Sequence, residues 1–149
     1  MDTLISIRPA WPSDYDPVLQ LLSAARLPVM GLSETLPDAL VAVGPDGRLA
    51  GCVALELYGS IALLRSLAVA GERRGQGLGE RLAGKALELA VSAGARDVYL
   101  LTETAAGFFP RFGFAEEDRA LAPASLRESV EFRSACPSTA ILMHVTVPA

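Results

Sequence analysis

The chain has 149 residues, of which 51% are hydrophobic, a length and composition that suit one compact α/β domain spanning residues 1–149. Its formal net charge of −4 gives no reason to expect nucleic acid or an anionic membrane as partner, although a cationic amine would be weakly attracted. Cys52 and Cys136 lack CxxC spacing and His144 is the one histidine, so no zinc set can be assembled and reduced thiols in a cytoplasm are expected. The N-terminus shows no signal-peptide pattern, and no apolar run approaches the ~20 residues that cross a bilayer.

Residues 3–8 alternate as a first strand, which Pro9 and Pro12 end. Ser13 is suited to cap a helix over residues 14–26, with Val18, Leu21 and Leu22 inward. Residues 27–37 form a loop, with or without a short helix. Their apolar sequence, LPVMGLSETLP, leaves two readings open: packing on the core, or a flap over a pocket. Strands follow at 39–43 and 49–58, joined by the hairpin signal Gly44-Pro45-Asp46-Gly47-Arg48. Gly59-Ser60 then returns the chain into a strand over 61–69. A two-residue turn there sets Tyr58 opposite Ile61, Glu56 opposite Leu63 and Ala54 opposite Arg65. Glu56 and Arg65 become diagonal neighbours on one face.

The stretch Arg74-Gly75-Gln76-Gly77-Leu78-Gly79 opens a helix over residues 77–92, in which Leu78, Leu82, Ala86, Leu89 and Ala90 share a face. Gly94 is placed to cap its end. A strand, a glycine turn and a helix N-terminus together suit a phosphate or pyrophosphate, because the first helical amides lack partners and carry the positive end of the dipole. A plain strand-to-helix turn is the bland alternative. The spacing is neither that of a P-loop nor a full G-x-G-x-x-G. A further strand is expected at 97–102 and a short helix over 104–111, disturbed by its proline. A strand beginning at 113–116, a short helix over 121–131 and an apolar last strand at 139–147 complete the order.

The order R-x-x-G-x-G after a strand ending Leu-Ala-Val, followed by Phe108-Phe109-Pro110-Arg111-Phe112-Gly113-Phe114, resembles the GNAT family of N-acetyltransferases over nearly the whole chain. That resemblance implies a central mixed, mostly antiparallel twisted sheet flanked by helices, with acetyl-CoA as cosubstrate and no metal. Carried over by position, the pyrophosphate contacts fall on Arg74, Gly75, Gln76, Gly77, Gly79 and Glu80, mainly through main chain. The pantetheine contacts fall on Leu67, Ala68 and Val69, with Leu67 also meeting the acetyl oxygen in a catalytic role. Thr102 takes the place of an asparagine near pantetheine.

Phe109 stands where many relatives carry a proton-donating tyrosine; a phenyl ring cannot donate, and packing against the cofactor or the core is its expected part. Either the thiolate leaves unaided, which its moderate thiol pKa allows, or Tyr58, Thr104 or Cys136 donates. Leu63 stands where some relatives carry a base, which leaves Glu56 on the neighbouring strand as the best carboxylate. An ion pair with Arg65, or a solvated rim charge, is the alternative for Glu56. Arg65, inside LLRSLAV, either reads an acidic group on the acceptor or bridges to Glu56.

Within the family, LLRSLAV, YLLTETAAGFFPRFGF, Arg119, Pro123, Glu131-Phe132 and Cys136-Pro137 are similar to the acetyltransferases associated with arsenic resistance. This implies an amino-acid-like organoarsenical acceptor, hence detoxification. Three functions compete: a small-molecule N-acetyltransferase, a peptide or protein N-alpha-acetyltransferase, and a non-catalytic acetyl-CoA sensor. A homodimer is common in the family, and the apolar last strand suits an interface.

Overall fold

The computed structural model describes residues 5–128 and 140–148. The expected beginning of the first strand, the Glu131-Phe132 and Cys136-Pro137 pairs and the end of the last predicted helix lie outside the described residues. Among the described residues, seven strands form one sheet in the order β1-β2-β3-β4-β5-β7-β6. They are β1 (Ser6–Pro9), β2 (Ala39–Val43), β3 (Leu49–Tyr58), β4 (Ile61–Val69), β5 (Asp97–Thr102), β6 (Ala115–Glu117) and β7 (Ile141–Thr146). Every pairing is antiparallel except β4 with β5. The mixed α/β architecture expected from the sequence is therefore present.

Helix α3 (Leu78–Ser92) covers one face, burying Leu78, Leu82, Ala83, Ala86 and Ala90. Of these, Leu78, Leu82, Ala86 and Ala90 pack in one cluster with Val53, Leu55, Leu64 and Leu100 of the sheet. Each fully buried leucine contributes about 1.5–3 kcal/mol. Gly94 ends the helix at φ 95, with Ala95 N–H bonded to the Ala90 carbonyl at 2.9 Å and Gly94 N–H to Val91 at 3.0 Å. That pair of bonds is a Schellman cap.

On the other face lie α1 (Tyr15–Ala24) and α2 (Leu32–Thr35). Val18, Leu22, Leu32 and Leu36 pack there on Val41, Cys52 and Ala54. The apolar 27–37 segment thus joins the core. A last short helix, α4 (Ala124–Arg127), sets Leu126 over Leu63, Tyr99 and Leu142.

Two local expectations give way. Ser13 does not cap α1; Asp14 anchors its start instead, accepting Trp11 N–H at 2.6 Å and Arg8 Nη1 at 2.7 Å. The predicted helix over 104–111 is a run of turns followed by a 3-10 helix at Phe109–Phe112. Thr102 Oγ1 accepts the Ala105 amide at 2.9 Å, which closes a side-chain turn where a helix would otherwise start. Pro110, lacking an N–H, cannot extend a helix across the segment.

Candidate active site

The site grows out of an irregularity in β4. Ala54 opposes Arg65 and Cys52 opposes Ala68, so β4 carries one more residue than β3 across that step. The extra residue is accommodated at Ser66, which adopts φ 62, a left-handed conformation that a side chain ordinarily avoids. The bulge exchanges the two faces of the strand. Before it, Leu63 and Arg65 share a face with Glu56 and Ala54. After it, Ala68 packs in the α1 and α2 core, while Leu67 and Val69 turn to the α3 side.

A second irregularity opens the sheet. β4 pairs with β5 at Ile61, Ala62 and Leu63 and no further, while β5 stays paired with β7 through Thr102. The two parallel strands part beyond Leu63 and Tyr99, leaving a cleft of about 710 Å³. Leu64 to Val69 form one wall and Leu100 to Thr102 the other. Ala25, Leu27 and Pro28 close one side, and Thr104, Phe108 and Phe109 the other.

The cleft continues toward the glycine loop, since Val69, Arg74, Gly79 and Phe108 line both the cleft and a groove of about 330 Å³ at the start of α3. Gly75 and Gly77 both sit at φ 79. A Cβ on Gly77 would meet no protein atom within 4 Å, so that side of the loop is open. The first intrahelical bond runs from Arg81 N–H to the Gly77 carbonyl at 3.2 Å, which leaves the earlier amides of the turn directed outward. Arg74 is tied to the end of β4 through Nε and the Val69 carbonyl at 3.3 Å. Helix dipole, outward amides and arginines are the features that suit such a groove to an anion.

Residues 6–114 match the sequence profile of the acetyltransferase (GNAT) family. The chain belongs to the GNAT acetyltransferase family. An uncharacterized N-acetyltransferase of Chlorobaculum tepidum is 36% identical over 96 residues, which is 64% of this chain and 61% of that protein. The chain thus spans less than two thirds of that relative's length. The N-acetylglutamate synthase of Neisseria gonorrhoeae, solved with coenzyme A and N-acetyl-glutamate, superposes with a TM-score of 0.83 at 20% identity, over 97% of this chain and 35% of that one. Rv2747 of Mycobacterium tuberculosis, solved with CoA and NLQ, gives 0.80 at 24% identity, over 95% of this chain and 99% of that one. These two likenesses establish the GNAT fold.

The structure gathers most of the residues singled out in the sequence. Leu67, Ala68, Val69, Arg74, Gly79, Thr102 and Phe109 line the cleft; Gly75, Gly77 and Glu80 line the adjoining groove. Gln76 is exposed and lines neither. The Glu80 side chain meets Arg111 Nη1 at 3.1 Å. Phe109 is buried among Phe108 and Phe114, its ring centroid 5.1 Å and 5.7 Å from theirs.

Glu56 and Tyr58 do not line the cleft. They border a separate hollow of about 340 Å³ with Glu34, Asp38 and Glu128. Arg65 connects the two spaces, with a side chain that is 0% exposed and Nη1 2.6 Å from Glu56 Oε2. Tyr58 donates its hydroxyl hydrogen to Glu56 Oε1. The ion pair that competed with substrate reading is therefore formed. Sequence reasoning missed Ser66, because no residue pattern marks a serine for positive φ. It also missed Phe108, which touches both parts of the site and lies 4.6 Å beneath the Arg111 guanidinium. The repeated phenylalanines were a signal, but not for which ring faces the cleft.

Proposed function

We propose that this GNAT protein transfers the acetyl group of acetyl-CoA to the primary amine of a small, amino-acid-like molecule. The observation that carries the reading is the parting of β4 from β5 beside the Ser66 bulge, in line with the anion groove at the start of α3. Pyrophosphate lies on the loop from Arg74 to Glu80, and pantetheine runs along Leu67, Ala68 and Val69 past Thr102. The Leu67 amide receives the acetyl oxygen, where charge develops as the amine attacks. A carbon–nitrogen bond forms, the carbon–sulfur bond breaks, and the thiolate departs without a proton from Phe109. Glu56 borders the separate hollow and is held by Arg65 and Tyr58, so the amine's proton passes to water in the cleft or to the departing thiolate.

The α1–α2 loop lies against the cleft at Leu27 and Pro28, and Arg65 binds the Met30 carbonyl at 2.6 Å. A wall there favours a compact acceptor over an extended peptide. The Neisseria and Mycobacterium structures, with N-acetyl-glutamate and NLQ beside CoA, support an amino-acid-like acceptor. The sequence resemblance to arsenic-resistance acetyltransferases makes amino-acid arsenicals the first members of that class to try, with detoxification as the role. We place the reaction in the cytoplasm, where the free thiol of Cys52 stays reduced.

Acetyl-CoA-dependent thiol release, measured over amino acids, arsinic and phosphinic amino-acid analogues, polyamines, aminoglycosides and short peptides, tests the reading. Turnover concentrated on amino-acid-like amines is expected. Preference for peptides would replace the proposed acceptor class. Tight acetyl-CoA binding without turnover on any amine would favour a sensor, the reading that buried Phe109 supports.

A further inference from the structure

Arg65 does more than neutralise a buried carboxylate. Its Nη1 donates to Glu56 Oε2 at 2.6 Å, its Nη2 to the Met30 carbonyl at 2.6 Å, and its Nε to Ser66 Oγ at 3.2 Å. These acceptors belong to three separate pieces of chain: β3, the α1–α2 loop and the bulge itself. Glu56 borders the separate hollow, Ser66 lines the cleft, and the loop reaches both, the hollow at Gly31 and the cleft at Leu27 and Pro28. We propose that Arg65 is a latch, a positioning residue that holds the α1–α2 loop against the bulge and so sets the width of the acceptor end. In this role it does not read an acid group on the acceptor. The proposal rests on the cleft being the acetyl-transfer site.

The physical case has two parts. A guanidinium presents its N–H groups in a fixed planar fork, so one side chain can hold three acceptors in three directions at once. Lysine, a point charge on a flexible stem, keeps the ion pair but cannot reproduce the fork. The loop, in turn, depends on the bond it receives. Met30 is 50% exposed, so at this point the segment is held through its carbonyl and little through its side chain. Two residues earlier, Pro28 lines the cleft, with Leu27 and Ala25 beside it. Release of the Met30 carbonyl would loosen that wall, whereas the glycine loop keeps its own ties to β4 and α3, from Arg74 Nε to the Val69 carbonyl and from Arg81 N–H to the Gly77 carbonyl.

Arg65→Lys and Glu56→Gln separate the latch from its alternatives. Three quantities are read: the KM of acidic, neutral and cationic amine acceptors, the Kd of acetyl-CoA, and amide hydrogen exchange. The Leu32 and Thr35 amides report on the loop, being bonded to Val29 O at 3.3 Å and Gly31 O at 3.1 Å. In Arg65→Lys, acceptor KM rises on the order of tenfold whatever the acceptor's charge, and exchange at Leu32 and Thr35 accelerates by a similar factor. Acetyl-CoA Kd stays within about twofold, and β3 and β4 keep their protection. Glu56→Gln retains an oxygen for Arg65, so loop exchange stays at the wild-type rate.

A KM increase confined to acidic acceptors would show that Arg65 reads the substrate. Faster exchange throughout β3 and β4, with loss of acetyl-CoA affinity, would show general support of the sheet. Loop exchange raised equally in Glu56→Gln would assign the hold to the carboxylate. Each of these overturns the latch. If the wild-type protein acetylates no amine, the transferase reading fails by itself, while the exchange and acetyl-CoA arms still decide what Arg65 does.

Discussion

Gly77→Ala separates what the glycine loop does for the fold from what it does for a ligand. Gly77 sits at φ 79 as the residue before α3, and a Cβ there meets nothing within 4 Å. The fold therefore bears only the cost of a left-handed alanine, about 1–2 kcal/mol. For a chain of this length that lowers Tm by about 2–8 °C. Gly59, in the β3–β4 turn at φ 67, also has nothing within 4 Å of its Cβ and lies outside the cleft and the groove, so Gly59→Ala is a matched control. The two variants lose similar stability. Only Gly77→Ala crowds the anion groove and displaces a phosphate from charge-assisted amides, a loss of about 1.5–3 kcal/mol or roughly 10- to 100-fold in acetyl-CoA Kd. Calorimetric titration with acetyl-CoA, beside melting curves of both variants, measures each term. Equal acetyl-CoA affinity in the two variants would refute the placement of pyrophosphate on this loop.

Asp14 links stability to acid. The hydrogen bond from Arg8 chiefly holds its carboxyl below the usual aspartate range, helped by the Trp11 amide and opposed by burial. A depressed folded pKa means stability that is present above the unfolded value of about 3.9 and is lost as pH falls from there through the lower folded value. Asp14→Asn should cost about 1–3 kcal/mol at neutral pH and flatten the melting profile below about pH 4; an unchanged acid slope would contradict the assignment. Cys52 is buried, its thiol pushed up to about 12 by desolvation. In a Cys136→Ser background, a disulfide reagent at pH 8 should label nothing until the protein is denatured, and rapid native labelling would contradict the burial. A Cβ on Gly51 would lie 2.9 Å from the Ala68 carbonyl, a backbone atom that must move. Gly51→Ala should therefore cost about 1–3 kcal/mol, with unchanged chemical denaturation refuting the close approach of β3 to β4.

The sequence was most legible where local geometry leaves few choices. The two-residue Gly59-Ser60 turn fixes register, and the pairs Tyr58–Ile61, Glu56–Leu63 and Ala54–Arg65 are found as expected. The strand, glycine loop and amphipathic helix from Ile61 to Gly94 were readable for the same reason: period, turn chemistry and capping agree. Arg65 was readable as a charge that burial obliges to find a partner, and Glu56 is that partner. What it binds on the loop was not, because the Met30 carbonyl lies 35 positions away and carries no side-chain signal. The same holds for Ser66, whose positive φ follows from the pairing on either side and not from the residue itself. Between Thr102 and Phe109, a tertiary arrangement of turns overrides a helical pattern, because a hydroxyl and a proline compete with helical bonding.

The central claim is that acetyl-CoA lies between the parted strands, with its pyrophosphate at the start of α3. Amide chemical shifts followed by NMR during acetyl-CoA titration test it most directly. The account predicts saturable perturbations at Leu67 to Val69, at Arg74 to Glu80 and at Thr102, with the amides of β1 and β6 unmoved. Saturation that instead perturbs the hollow bordered by Glu34, Asp38 and Glu56, or that leaves the β4 amides unchanged, would contradict it.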